Sequence, residues 1–283
     1  MNWFLLVIIS ALAGSFARIL QKVLLNDKDN HPAAFAFVFQ ITVSLIMLVW
    51  ALIEGFKIPN LIPLIPYVIA MALLYALANL SLFKAFKSAE ASEATILLSS
   101  STIWSVLSAV ALLGEKLTLV KIIATILVFF GVATVYYSKS RWKLNQSHLF
   151  ALLSGILFGV AFTNDAFLVS KFENVSSYMF IAFLLPALAI LLFQPRAVRQ
   201  LKHLLHKNVI AKLLLTCLFY GISAVTVFQA YKNGGEASVI SPISQTSVLM
   251  TLAISYFLLK ERDRLPNKII GALLVLTGVW IIS

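Results

Sequence analysis

The chain is built from apolar runs of about 20 residues, parted by short polar or proline-containing connections. As an α-helix, such a run rises about 1.5 Å per residue and matches a hydrocarbon layer about 30 Å thick. A membrane barrel would instead alternate polar and apolar residues over roughly ten positions. The pattern predicts an all-α polytopic membrane protein with spans at about 2–25, 32–54, 62–85, 91–113, 118–137, 148–171, 175–194, 209–231, 236–259 and 265–282. Its 283 residues are then used up by ten transmembrane helices, and no large soluble domain fits. Composition agrees, at 61% hydrophobic and 12% charged against about 45–50% and 25% in soluble domains.

The net charge of +11 would suggest a nucleic-acid partner in a soluble protein. Here the charges sit in connections, where they orient helices, so the expected partner is the lipid bilayer, with no nucleic acid. The single cysteine, Cys217, excludes an internal disulfide framework and any multi-cysteine metal site. The first basic residue is Arg18, so the N-terminal run reads as a permanent span rather than a cleaved signal. An integral, multi-pass protein of a prokaryotic plasma (inner) membrane is expected.

The two halves of the chain repeat. Tyr75, Lys87, Glu90-Ala-Ser92, Glu115-Lys116 and Lys121-Ile-Ile meet Tyr220, Lys232, Glu236-Ala-Ser238, Glu261-Arg262 and Lys268-Ile-Ile at a shift of about 145–147 residues. Shared hydrophobicity alone would not match the charged turns as well. The halves are residues 1–138 and 147–283, and each carries five spans. An odd number forces the second copy to enter the membrane from the opposite side, which is the inverted repeat common in secondary transporters. Sixteen of the 22 Lys and Arg residues fall in connections reached by the ends of odd-numbered spans and five on the other side, with Arg18 inside a span. This bias puts both termini outside the cytoplasm.

The fourth and ninth spans, each opened by Glu-Ala-Ser and closed by Glu115 or Glu261, resemble the EamA-like branch of the drug/metabolite transporter superfamily. The glycine-bearing last spans, with Gly131 or with Gly271 and Gly278, add to the resemblance. It covers essentially the whole chain. It implies a ten-helix basket of two inverted five-helix repeats around a cavity that alternates access, moving solutes such as amino acids, nucleosides, metabolites or drugs. It also implies cytoplasmic termini, against the charge count. Pro242 matches the family's mid-helix proline and is the expected helix kink. The fourth span has Ile96 at the matched position, so only the ninth helix is expected to bend there.

Polar side chains inside spans face the bundle interior or a wet cavity. Candidate cavity-lining residues are Tyr75, Asn79, Ser99, Thr102, Trp104, Asn164, Tyr220, Ser241 and Gln245, with Tyr178 and Phe180 as further aromatic walls. Thr95, Ser99 and Thr102 fall on one helical face, as do Ser241 and Gln245. Packing between helices is the alternative role for the hydroxyls. Asp165 and Arg18, at comparable places in the two halves, are candidates for coupling or charge recognition: Asp165 for a proton or a cationic group, Arg18 for an anion such as a carboxylate. The alternatives are a position at the mouth for Asp165 and snorkelling for Arg18. His203 and His206 lie in a basic loop without a nearby carboxylate in sequence, so no metal site is expected.

The function these residues suggest is a secondary transporter, working as an exporter, of a small organic solute. No phosphate-binding Gly-x4-Gly-Lys-Ser/Thr loop is present to drive an ATP pump. The alternatives are an integral-membrane enzyme, for which no catalytic motif or cofactor site is seen, and a passive channel or scramblase. A cysteine added at either terminus, in a Cys217→Ser background, should react with an impermeant maleimide in intact cells; protection of both termini would overturn the charge-derived orientation.

Overall fold

A computed structural model describes the chain except residues 1, 139–140, 143–144, 205, 245 and 283, and except the side chains of 128, 132, 135–138, 141–142, 208, 241–242, 279 and 282. The first half comprises α1 (Trp3–Asn26), α2 (Pro32–Glu54), α3 (Ile65–Ser88), α4 (Ala91–Leu98), α5 (Ser101–Leu113) and α6 (Leu119–Tyr136). A minimal hairpin pairing Tyr137–Ser138 with Arg141–Trp142 leads into the second half. That half contains α7 (Gln146–Val169), α8 (Val175–Phe193), α9 (Lys207–Lys232), α10 (Ala237–Ser244), α11 (Ser247–Ile254) and α12 (Leu265–Ile282). Among the described residues, seven helical segments are long and apolar enough to cross a membrane: 3–26, 32–54, 62–88, 91–113, 146–169, 175–193 and 209–232. Three shorter apolar stretches, 119–131, 247–259 and 265–278, stand at the remaining expected spans. The outer face is apolar, with Leu45, Val49, Ile53, Leu192, Phe257 and Trp280 exposed, as lipid contact requires.

The halves pack crosswise. α1 lies on α9 and α3 on α7; α2 pairs with its counterpart α8, and α6 with α12. Each half is also latched within itself by the same device. Lys87, in the last turn of α3, donates to the carbonyl oxygens of Asp27, Lys28 and Asn30 in the α1–α2 turn. Its counterpart Lys232 donates to the carbonyl of Glu173 after α7. These lysines satisfy carbonyls that a helix end leaves without partners.

The fourth and ninth segments run antiparallel to each other, as their end contacts show. Glu261, beyond the π-helical turn Ser255–Leu259 that follows α11, accepts from the backbone N–H of Ala91 at 2.7 Å and of Ser92 at 3.0 Å, and from the Ser92 hydroxyl at 2.8 Å, all at the start of α4. Glu115, just beyond α5, accepts from the Ala237 N–H at 3.2 Å and from the Ser238 hydroxyl at the start of α10. Each segment thus ends where the other begins, and the two copies are inverted.

Both segments are broken, which corrects the expectation that only the one with proline bends. The first break, at Ser99–Ser100, is a tightening to i→i+3 bonds: the Ser99 N–H divides between the carbonyls of Thr95 and Ile96, and the Ser100 N–H donates to the Leu97 carbonyl, all at 3.1 Å. The Ser99 hydroxyl also donates to the Ile96 carbonyl at 2.5 Å, so hydroxyl chemistry replaces proline in freeing and then satisfying backbone groups. Gly155 of α7 makes room for this bulge, since a Cβ there would fall 2.3 Å from Ser100 Oγ. The second break lies between α10 and α11, beyond Pro242, whose own side chain lies outside the described residues.

α6 and α12 also cross backbone to backbone. A Cβ on Gly131 would sit 2.7 Å from the Gly271 carbonyl oxygen, and a Cβ on Gly271 2.7 Å from that of Gly131. Small residues of this kind let membrane helices touch through their backbones, where dispersion contacts replace the missing hydrophobic drive. Gly271→Leu should therefore destabilise the bundle by about 1–3 kcal/mol through overpacking. Thermal unfolding in detergent would register it, whereas the exposed neighbour Leu273→Ala should leave the melting temperature unchanged; equal melting for both would contradict the crossing.

Candidate functional site

A cavity of about 110 Å³ opens where the broken segments meet the long helices. Its wall is formed by Ser10, Gly14 and Arg18 of α1, Tyr75 of α3, Leu98 and Ser101 flanking the first break, Phe162 of α7, Ala182 and Phe183 of α8, and Ser244 before the second break. The longest stretch comes from α9, through Tyr220, Ser223, Ala224, Val227, Phe228 and Tyr231. Hydroxyls and aromatic rings dominate, and among the described residues Arg18 is the one charged side chain in this wall.

Of the residues picked out from sequence, Tyr75, Tyr220 and Arg18 meet here. Arg18 does not snorkel. Its Nη1 donates inward to the Ser247 hydroxyl at 2.5 Å, across the repeat boundary, at the start of α11. Asp165 is not at a mouth either: it is fully buried. One of its carboxylate oxygens accepts from the Tyr75 phenol and the other from the Tyr178 phenol at 2.5 Å. Tyr75 therefore has two faces, one on the cavity and one on the carboxylate behind it. Asp165 is drawn inward because a carboxylate within the bundle needs donors, and α3 and α8 supply two.

The structure corrects the placement of several other candidates. Asn79 donates to the Tyr75 carbonyl at 2.8 Å, one turn back on its own helix. Asn164 donates to the Tyr67 carbonyl at 3.0 Å and ties α7 to α3. Ser99 serves the helix break, and Thr102 is buried without a hydrogen-bond partner among the described residues. Trp104 is exposed, with its Cβ packed over Gly159. Phe180 packs on Phe56 at 5.6 Å between ring centres, and Tyr178 serves Asp165. Gln245 lies outside the described residues, as do the side chains of Ser241 and Pro242. The break after Leu98 explains the polar face misjudged in the fourth span. A face counted through Thr95, Ser99 and Thr102 assumes regular α-helical spacing, and the tight turn at Ser99–Ser100 shifts the phase there.

Ser10, Ser101, Ser223, Ser244, Phe162, Phe183, Phe228 and Tyr231 also line the cavity. The sequence carried one usable signal for Ser10, Gly14 and Ser223, the small residues that permit close crossing. Ser10 and Ser223 hydroxyls bond reciprocally to each other's backbone carbonyls at 2.7 and 2.8 Å, and a Cβ on Gly14 would lie 2.9 Å from Ser223 Oγ.

Carboxylates and lysines close the structure at both ends of the broken segments. At one end Glu261 caps α4, Lys268 pairs with Glu90, and Arg264 pairs with Glu93 at 2.5 Å. At the other, Glu115 caps α10, and Lys121 reaches Glu115 at 3.3 Å and Glu236 at 3.0 Å. Lys121 and Lys268 are buried, as are Glu93 and Glu261, so these groups are more than the orienting surface charges their sequence positions suggest. Carboxylates at helix N-termini also complement the helix dipole.

Elsewhere, the loop 196–204 folds back so that His203 Nε2 lies 2.9 Å from Asp27. This brings a carboxylate to the histidine where sequence spacing offered none, and the hydrogen bond holds Asp27 below the usual carboxylate range. Asp27, Asp29 and His203 come within 4.8 Å of one another. Lys28 and Lys87 share the same hollow and oppose a cation there.

Tyr178→Phe should cost about 1–3 kcal/mol of stability by removing one of two donors to a buried carboxylate. Unfolding in detergent measures this; an unchanged midpoint would mean Asp165 does not depend on Tyr178.

Against known proteins, the sequence model of the EamA-like transporter family matches residues 1–137 and again residues 145–283. A crystal structure of another protein superimposes with a TM-score of 0.70 at 13% sequence identity, over 99% of this chain and 96% of that one, a likeness of fold alone. No curated protein matches the sequence significantly.

Proposed function

Since the chain belongs to the EamA-like transporter family, and so to a family of membrane transporters, we propose that it is a secondary transporter. It exports a small organic solute by alternating access across ten membrane crossings. The observation that carries this is the cavity between two inverted halves, flanked at each end by a matching set of cross-repeat contacts. Glu261 and Lys268 hold one end, and Glu115 and Lys121 hold the other. Because the sets are related by the repeat, opening one while the other holds gives two conformations of similar energy, one facing each side. The breaks in α4–α5 and α10–α11 supply the joints, as each allows the outer half of a segment to tilt about the half beside the cavity.

Asp165 is the coupling group in this scheme. It is buried in the bundle and linked to the cavity through Tyr75. A proton passed between solute cavity and carboxylate would change the charge of the interior with each cycle. The short stretches α6 and α12, crossed through Gly131 and Gly271, complete the two five-helix sets.

In proteoliposomes, labelled solutes should show saturable flux and counterflow, and Asp165→Asn should abolish transport or its pH dependence while expression is retained. Non-saturating flux would indicate a pore, product formation an enzyme, and unchanged pH dependence in the variant would remove Asp165 from the coupling role.

A further inference from the structure

Of the described residues around the cavity, one carries a positive charge and none an anion to pair with it. Among the described residues, Arg18 has a single hydrogen-bond partner, the neutral Ser247 hydroxyl, and no carboxylate lies within ion-pair distance of its guanidinium. A guanidinium presents five N–H donors in a planar fork. Half-buried in the cavity wall, with the Ser247 hydroxyl as its one hydrogen-bond partner among the described residues and the neutral Tyr220 phenol near it, it remains short of acceptors, and its most favourable partner is an anion with two coplanar oxygens.

Asp165 does not fill that role. Both its oxygens are taken by the Tyr75 and Tyr178 phenols, and it stands behind Tyr75, outside the cavity wall. The other polar groups described around the space are neutral: the Ser223 and Ser244 hydroxyls donate to the carbonyls of Ser10 and Ile240, and Phe162, Phe183 and Phe228 present flat apolar surfaces. One charged receptor, hydroxyls and phenyl rings together describe a ligand with an anionic head and a flat apolar body.

We propose that Arg18 is the receptor for the anionic head of a small organic monoanion, carboxylate or sulfonate, whose apolar body lies against the phenylalanine side of the same cavity. This deepens the transport proposal, and rests on it only for the steps after binding. The cation is fixed by Ser247 from the opposite repeat, so occupancy by the anion would also be felt at the second helix break.

Benzenesulfonate tests this directly, because it is a permanent anion at all working pH values and does not leak through lipid as a weak acid does. Equilibrium binding to the purified full-length protein should be saturable for benzenesulfonate and at least about tenfold weaker for the neutral benzenesulfonamide and the cationic benzyltrimethylammonium, the difference expected for one charge-assisted contact. Arg18→Gln should weaken benzenesulfonate binding by about tenfold or more, with Arg18→Lys intermediate because the charge remains and the fork is lost. If Arg18→Gln does not fold, Ser244→Asp keeps Arg18 and adds a carboxylate to the cavity, and should suppress benzenesulfonate binding while favouring benzyltrimethylammonium. Equal binding of the three probes, or benzenesulfonate binding untouched by both Arg18→Gln and Ser244→Asp, would overturn the proposal. Saturable flux of neutral or cationic solutes alone would then leave the transporter standing without its anion site. Conversely, Arg18-dependent binding without counterflow would keep the site and remove the transport reading.

Discussion

The structure depends on a bilayer constraint: a backbone N–H or C=O that leaves the helical ladder inside lipid must find a partner within the protein. Two helices here are interrupted beside the cavity and start at the bundle's ends, so they present more unpaired backbone groups than continuous spans. Their N–H groups are met by Glu261 and Glu115, each arriving from the other half. The carbonyls at the first interruption are met by tight turns and by Ser99. Neither half could satisfy its own broken segment in this way, so inversion of the copies and breakage of the helices support each other.

That mutual dependence brings chemistry to the centre. An unbroken α4–α5 would continue the helix past Leu98 and Ser101, two residues that face the cavity from either side of the interruption. The same arrangement places an arginine and an aspartate in the bundle interior under different conditions. Arg18 faces the open space with a neutral hydroxyl, while Asp165 is enclosed by two phenols. One charge therefore faces the open space and the other is reached through Tyr75. A charged group inside a membrane protein is costly, and each of these is held by hydroxyl donors or acceptors from the other helices.

Much of the fold was legible in the sequence because hydrophobic run length and charged-turn repetition are local or near-local signals. Tyr75 and Tyr220 were recognisable through the repeat, and Arg18 and Asp165 through their rarity within spans. The end contacts were not, because Glu115, Glu261, Lys121 and Lys268 look like ordinary span-flanking charges until the antiparallel fit of two segments over a hundred residues apart brings them together. Asn79, Asn164, Ser99 and Thr102 show a different limit. Polarity within a span says that a side chain needs company, but backbone carbonyls and helix breaks are as good company as a solute. The serine-rich break had no proline to announce it, and the glycine that accommodates it, Gly155, lies on another helix.

The central claim is that the two ends open in alternation about the broken segments. Spin labels at Ser88→Cys with Lys260→Cys report one end, and at Lys116→Cys with Asn233→Cys the other, in a Cys217→Ser background; all four labelled positions are exposed. Electron paramagnetic resonance distances in lipid vesicles should show two populations for each pair, with the short distance at one end gaining as the long distance at the other gains when solute or pH is changed. A single unchanging distance at each end, or both ends widening together, would contradict the account.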